Sequence, residues 1–277
     1  MNKKSIVSGI ISSICLLNVS AATVTFHGVA SRELSNPKNW DTFPAAGDYI
    51  NISTRSASAD KPALIDPAFK VKTGFFRVYS NSESGVGPAY ATLQNGTKLF
   101  ALGVYAGNEK NPAFTGHLRL ETGSSIQTSY PNSGEFSIGH DQPRAVSTVV
   151  VENGVKPFEH ARMILRASGK LTFLSGANSV STFVSMRRSE ASENILDGLV
   201  QVDLAALKQG GEYKLIDGGA STVSIGGALR KALDSAGGTL HGTGDYSSKN
   251  FSVLNGGAWK WTLQLKDSGK TLVLTAS

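Results

Sequence analysis

Between Leu93 and Met186 the chain repeats one phrase, a short strand of alternating apolar and polar residues followed by a glycine turn: "TLQNGTKLFALGV", "LRLETGSSIQT", "VVVENGVKPF" and "LTFLSGANSVSTFVSM". The turn glycines Gly96, Gly123, Gly154 and Gly176 stand 27, 31 and 22 residues apart. Intervals of that size match one coil of a β-solenoid with insertions at its turns.

Within a phrase the side-chain period is two. Leu118 and Leu120 alternate with His117, Arg119 and Glu121, and Leu171 and Phe173 alternate with Lys170 and Thr172, so one face of each strand is apolar and the other polar. Asn-Gly, Thr-Gly or Ser-Gly then permits the left-handed corner that a coil needs. One phrase cannot bury its apolar face alone, whereas stacked coils cover one another and share a continuous core. The expected fold is all-β, a right-handed parallel β-helix with a C-terminal β-rich cap containing one short helix. A β-sandwich, which also uses short strands and glycine turns, is the alternative.

Residues 1–22 have the pattern of a Sec-type secretory signal peptide. Lys3 and Lys4 are the charged start, Ile6 to Leu17 the apolar stretch, and Val19-Ser20-Ala21 a small-residue cleavage signal ending near Ala21 or Ala22. The apolar stretch is shorter than the roughly 20 residues a membrane helix requires; Ser5 precedes it and Ser8, Ser12 and Ser13 interrupt it. Cleavage would remove Cys15, the only cysteine, and with it any disulfide or thiolate chemistry. It would also remove two lysines from a formal net charge of +6. The remaining cations are spread rather than clustered, which argues against nucleic acid as a partner. With 40% hydrophobic and only 17% charged residues, the chain has the composition of an ordered protein. The expected division is signal peptide 1–22, β-solenoid 23–195 and C-terminal capping segment 196–277.

After the signal, Asn36 to Trp40, Pro44 to Asp48 and an alternating strand at Tyr49 to Ile52 form an "NPxNW…PxxGDxxxI" opening. This resembles the start of secreted bacterial β-solenoid proteins, the group with autotransporter-associated β-strand repeats and related parallel β-helix proteins of polysaccharide degraders. The resemblance implies a secreted or cell-surface solenoid and says little about activity. Pro44 and Gly47 set a turn whose backbone Asp48 can bond, and Trp40 can cover the open end of the first coil. Towards the C-terminus, strands are expected at about Leu199 to Leu204, Tyr213 to Ile216, Phe251 to Leu254, Trp259 to Leu265 and Thr271 to Thr275. A helix is expected where Leu229, Ala232, Leu233 and Ala236 fall on one face before Gly237. The "YKLID" strand and "TLVL" ending resemble the closing segments of the same proteins and are expected to protect the last edge.

Candidate binding residues are His117, Arg119, Arg144 and Arg187, with His160, Arg162, Arg166, Lys170 and Arg188 as further cations of the coil region. If coils stack in register, some of these would align on one wall and suit the carboxylates or sulfates of an acidic polysaccharide or cell-surface glycan. Interleaved Glu121, Glu135, Glu152 and Glu159 oppose a single-sign surface. His140, beside Asp141, is the one weak catalytic candidate. Nucleophile-elbow, zinc-protease and phosphate-loop motifs are absent, and Ser35-Asn36-Pro37-Lys38 matches S-x-x-K only formally because Pro37 disrupts the helical turn the motif needs. No metal or cofactor is expected; Gly242-Thr243-Gly244-Asp245 is only a fragment of a calcium loop. The expectation is a non-catalytic solenoid that binds glycan or another extracellular surface. The alternatives are a polysaccharide lyase acting on an acidic glycan and a purely structural surface or adhesin component.

Overall fold

The computed structural model describes residues 21–52, 58–79, 87–108, 110–128, 134–142, 145–155, 158–160, 162–185, 193–218 and 224–277. Its strands stack in parallel as a β-solenoid of about six turns, closed by a mixed sheet with one short helix. β1 (Thr23–Phe26) and β2 (Tyr49–Ile52) lead in, and two turns of two strands follow: β3 (Ala63–Ile65) with β4 (Lys72–Val78), then β5 (Ala89–Leu93) with β6 (Lys98–Ala106). Four turns of three strands come next. They are β7 (Gly116–Leu120), β8 (Ser125–Gln127) and β9 (Phe136–Ile138); β10 (Ser147–Val151), β11 (Phe158–His160) and β12 (Met163–Leu165); β13 (Gly169–Leu174), β14 (Phe183–Ser185) and β15 (Asn194–Leu196); and β16 (Leu199–Asp203), β17 (Gly211–Asp217) and β18 (Ile225–Gly226). The end comprises α1 (Ala228–Ser235), β19 (Thr239–Thr243), β20 (Tyr246–Ser247), β21 (Phe251–Leu254), β22 (Lys260–Lys266) and β23 (Thr271–Ala276).

The strands form three rows. The first runs β3-β5-β7-β10-β13-β16-β21, parallel throughout. The second and third begin on shared strands, because β4 and β6 are long enough to pass round a corner. Lys98–Phe100 of β6 pairs with β8, while Val104–Ala106 pairs with β9.

Alternation sets which side chains enter. On the first row, Leu93, Leu120, Val151 and Phe173 stand side by side, separated by the same 27, 31 and 22 residues as the turn glycines. Ile65 extends this inward column at one end, and Val202 and Val253 at the other. All seven are fully buried, so each turn's apolar face is covered by the turns beside it. Gly96, Gly123 and Gly154 take the left-handed corner with φ of 75°, 80° and 79°. Gly176 differs: its φ is not left-handed, and a Cβ there would lie 2.0 Å from Asn153 Nδ2. At that turn the glycine is required for space rather than for backbone angle.

Both ends are covered. Trp40 is buried, donates its indole N–H to the Leu34 carbonyl at 2.9 Å, and packs against Phe26, Phe43 and Phe69. At the other end α1 buries Leu229 and Leu233, and Asp197 Oδ1 accepts the Ala228 N–H at 2.8 Å, capping the helix from the fifth turn. β23 pairs antiparallel with both β17 and β22. Trp261 is buried against Tyr246 and Phe251 and donates to the Gly244 carbonyl at 3.0 Å. Among the described residues no helix is long and apolar enough to cross a membrane.

Candidate functional site

Two outer surfaces carry the polar chemistry. The first contains His117 and Arg119, which β7 points outward because Leu118 and Leu120 are drawn into the core. The His117 ring stacks on Tyr90, with centroids 4.6 Å apart and planes 18° from parallel. Its Nδ1 lies 2.8 Å from Thr148 Oγ1. Burial pushes the His117 pKa below its ordinary value. Arg119 donates from Nε to Glu152 Oε1 at 2.7 Å, and Glu152 Oε2 accepts the Thr122 N–H at 3.1 Å. Burial works to raise the Glu152 pKa, but the Thr122 N–H and the Arg119 guanidinium outweigh it and hold the group below the usual carboxylate value. A shallow groove of about 200 Å³ runs along this surface past Pro62, Tyr90, His117 and Arg119.

Of the remaining sequence candidates, Lys170, Arg162, Arg166 and His140 do not join His117 and Arg119. Along the first row His117 stands between Tyr90 and Thr148, with Lys170 beyond Thr148, and Arg119 stands between Thr92 and Val150. No two of these cations are neighbours in a column. Arg162 and Arg166 flank β12 on the third row, where Arg162 pairs with Glu135 at 3.0 Å and Arg166 with Asp141 at 2.9 Å. Each of these arginines, like Arg119, is matched by an acid from a neighbouring stretch of coil. His140 is buried; its Nδ1 accepts the Gln142 N–H at 2.8 Å and its backbone N–H donates to Ser168 Oγ at 2.7 Å. Arg144, Arg187 and Arg188 lie outside the described residues. Among the described residues no three His, Cys, Asp or Glu side chains are grouped as a metal site requires.

The second surface was not singled out from sequence. It is the outer face of β2, β4 and β6, where one corner-turning strand follows another. Ile50 aligns with Phe76 and Phe76 with Val104, all buried, so the residues beside them face out. These are Tyr49 on β2, Phe75 and Arg77 on β4, and Tyr105 on β6, each half-buried. The Tyr49 and Phe75 centroids are 4.8 Å apart, and those of Phe75 and Tyr105 5.7 Å, edge to face. The Arg77 guanidinium lies over both Tyr49 and Phe75, 5.1 and 5.4 Å from their centroids. Round the corner, Lys98 and Lys72 sit over Phe100 at 4.7 and 5.7 Å. Glycine makes the close ring packing possible. A Cβ on Gly103 would lie 2.8 Å from Phe75 and 2.9 Å from Tyr105, and one on Gly74 2.8 Å from Tyr49. Beside these rings is a depression of about 520 Å³ lined by Gly47, Tyr49, Lys72, Gly74 and Leu102, with Ala21 at its margin.

Among the described residues, no carboxylate lies within ion-pair distance of Lys72, Arg77 or Lys98. Further along these columns Glu135 is bound by Arg162 and Glu159 accepts from Gln127 at 3.1 Å. The wall therefore offers aromatic rings together with three cations that no described acid neutralises. Aromatic rings present flat apolar surface, Arg supplies a two-pronged donor for a carboxylate or sulfate, and Lys adds a point charge. Phe75-x-Arg77 and Lys98-x-Phe100 were visible in the sequence as residues two apart, which share a face on a strand. Their gathering on one wall depended on the register of β4 against β6. No family model, curated protein or solved structure matches this chain.

Proposed function

We propose that this chain is a secreted or cell-surface β-solenoid that binds an acidic glycan without catalysis, on the outer wall of β2, β4 and β6. The observation that carries this reading is the set of three cations stacked on aromatic rings with no described carboxylate to neutralise them. A sugar ring presents an apolar face to Tyr49, Phe75 or Phe100, and its carboxylate or sulfate meets Arg77, Lys72 or Lys98. The solenoid, the signal-like first 22 residues and the resemblance of the Asn36 to Ile52 opening to secreted bacterial solenoid proteins support the location and the partner class. The surface of His117 and Arg119 is the lesser contact, since Glu152 already occupies Arg119.

The test is affinity electrophoresis of the exported protein through gels containing a polyuronate, a sulfated glycan or a neutral glucan, together with an absorbance assay for unsaturated product. Retardation by the acidic gels alone is expected, diminishing with salt and with Phe100→Ala. Absence of retardation in every gel would favour a structural surface component. Appearance of unsaturated product would establish a lyase instead.

A further inference from the structure

The signal-like segment ends in Val19-Ser20-Ala21, and the fold begins at once. The Ala22 nitrogen lies 2.9 Å from Asp48 Oδ1, and the Ala22 carbonyl accepts the Tyr49 N–H at 2.8 Å, one residue before β1 pairs with β2. Asp48 is only 6% exposed. Its other oxygen accepts the Ala45 N–H at 2.8 Å, and among the described residues no Lys, Arg or His stands within ion-pair distance of it. A carboxylate so enclosed, held by neutral amides alone, lacks the counter-charge that buried acids normally have.

We infer that export cuts the Ala21–Ala22 bond, and that the Ala22 α-ammonium so created is the counter-ion of the buried Asp48 carboxylate. This rests on the signal-peptide reading, with the cleavage signal ending at Ala21, the earlier of its two candidate ends. Water adds across the peptide bond: the C–N bond breaks, the water oxygen stays with the Ala21 carboxylate, and the Ala22 nitrogen takes up protons to become an ammonium at neutral pH. Cutting one residue later would remove both the nitrogen that Asp48 holds and the carbonyl that receives Tyr49. Ala21 borders the depression beside Tyr49 and Gly74, so its departure also widens the mouth of the proposed glycan wall. Processing thus supplies Asp48 with a counter-charge and removes Ala21 from the depression beside the proposed wall in one step.

The experiment is to express the full chain in a bacterial host with Sec export and to read the N-terminus of the exported protein by intact mass and terminal sequencing. Melting temperature against pH is then compared for that protein and for a version retaining Ala21, in which Ala22 carries an amide. An α-ammonium paired with Asp48 titrates above the ordinary α-amino value of about 8, so its stabilisation is present below that value and is lost as pH rises through the higher folded one. The expected result is an Ala22 terminus and a fall of several degrees in melting temperature between about pH 8 and pH 10, absent when Ala21 is retained. A terminus at Thr23, or parallel pH profiles in the two proteins, would overturn the inference while leaving the signal reading intact. An uncut chain would overturn the signal reading and the inference together.

Discussion

Single atoms decide whether a turn of this solenoid closes. A Cβ at Gly123, where φ is 80°, would lie 2.4 Å from Asn95 Oδ1 on the preceding coil, so Gly123→Ala adds a clash to a left-handed backbone. The expected cost is about 1–3 kcal/mol, read as a lower urea midpoint. Gly176→Ala acts differently because only the Asn153 side chain obstructs it. Its cost is expected to shrink when combined with Asn153→Ala, a coupling that a double-mutant cycle measures; equal costs in both backgrounds would place the strain elsewhere. Two titrating groups add a pH dependence. His117 has a lowered pKa, so the folded state binds fewer protons than the unfolded one, and stability present above its ordinary value of 6.5 is lost as pH falls. Glu152, also lowered, contributes stability above its ordinary 4.5 that disappears at more acid pH. Melting temperature should therefore fall in two stages on acidification, and His117→Gln should flatten the first.

At the level of elements, regular alternation was legible and corners were not. The inward leucines of β7 and the turn-glycine intervals already contained the register of the first row, because each coil repeats one pattern and neighbouring coils must match it. β4 and β6 hid their role because each serves two rows. In "KTGFFRV" the adjacent Phe75 and Phe76 point to opposite sides, and only the pairing with β6 shows that Phe75 is the outer one. The expected basic ladder depended on which cations became neighbours; insertions between coils placed Arg162 and Arg166 on another row from His117, where acids from adjoining coil meet them. The first cap was more readable, since Trp40 follows a turn and has no alternation partner. Trp40→Ala removes a buried ring that covers the end of the stack, with an expected loss of about 3–5 kcal/mol. The exposed end should also make the protein associate at high concentration, which size-exclusion chromatography would reveal; an unchanged melting temperature would contradict the capping role.

Over the whole molecule, charge is divided by position along the stack. In turns three and four the described arginines, Arg119, Arg162 and Arg166, pair with Glu152, Glu135 and Asp141, a pattern that fastens coil to coil. The lead-in strand and the first two turns instead place Lys72, Arg77 and Lys98 over aromatic rings. In a stack where each turn touches chiefly its neighbours, the two regions can differ in task without disturbing one another. The most direct test is isothermal titration of an oligouronide into the exported protein, into the wall variant Lys72→Gln/Arg77→Gln/Lys98→Gln and into the control variant Arg119→Gln/Lys170→Gln, with circular dichroism showing that all three are folded. Both variants lose cations, but only the first loses those that lie over aromatic rings. The wall variant should bind at least about tenfold more weakly, a loss of about 1.4 kcal/mol, while the control stays close to the parent. Equal weakening in both, or weakening in the control alone, would contradict the assignment of glycan binding to the wall of β2, β4 and β6.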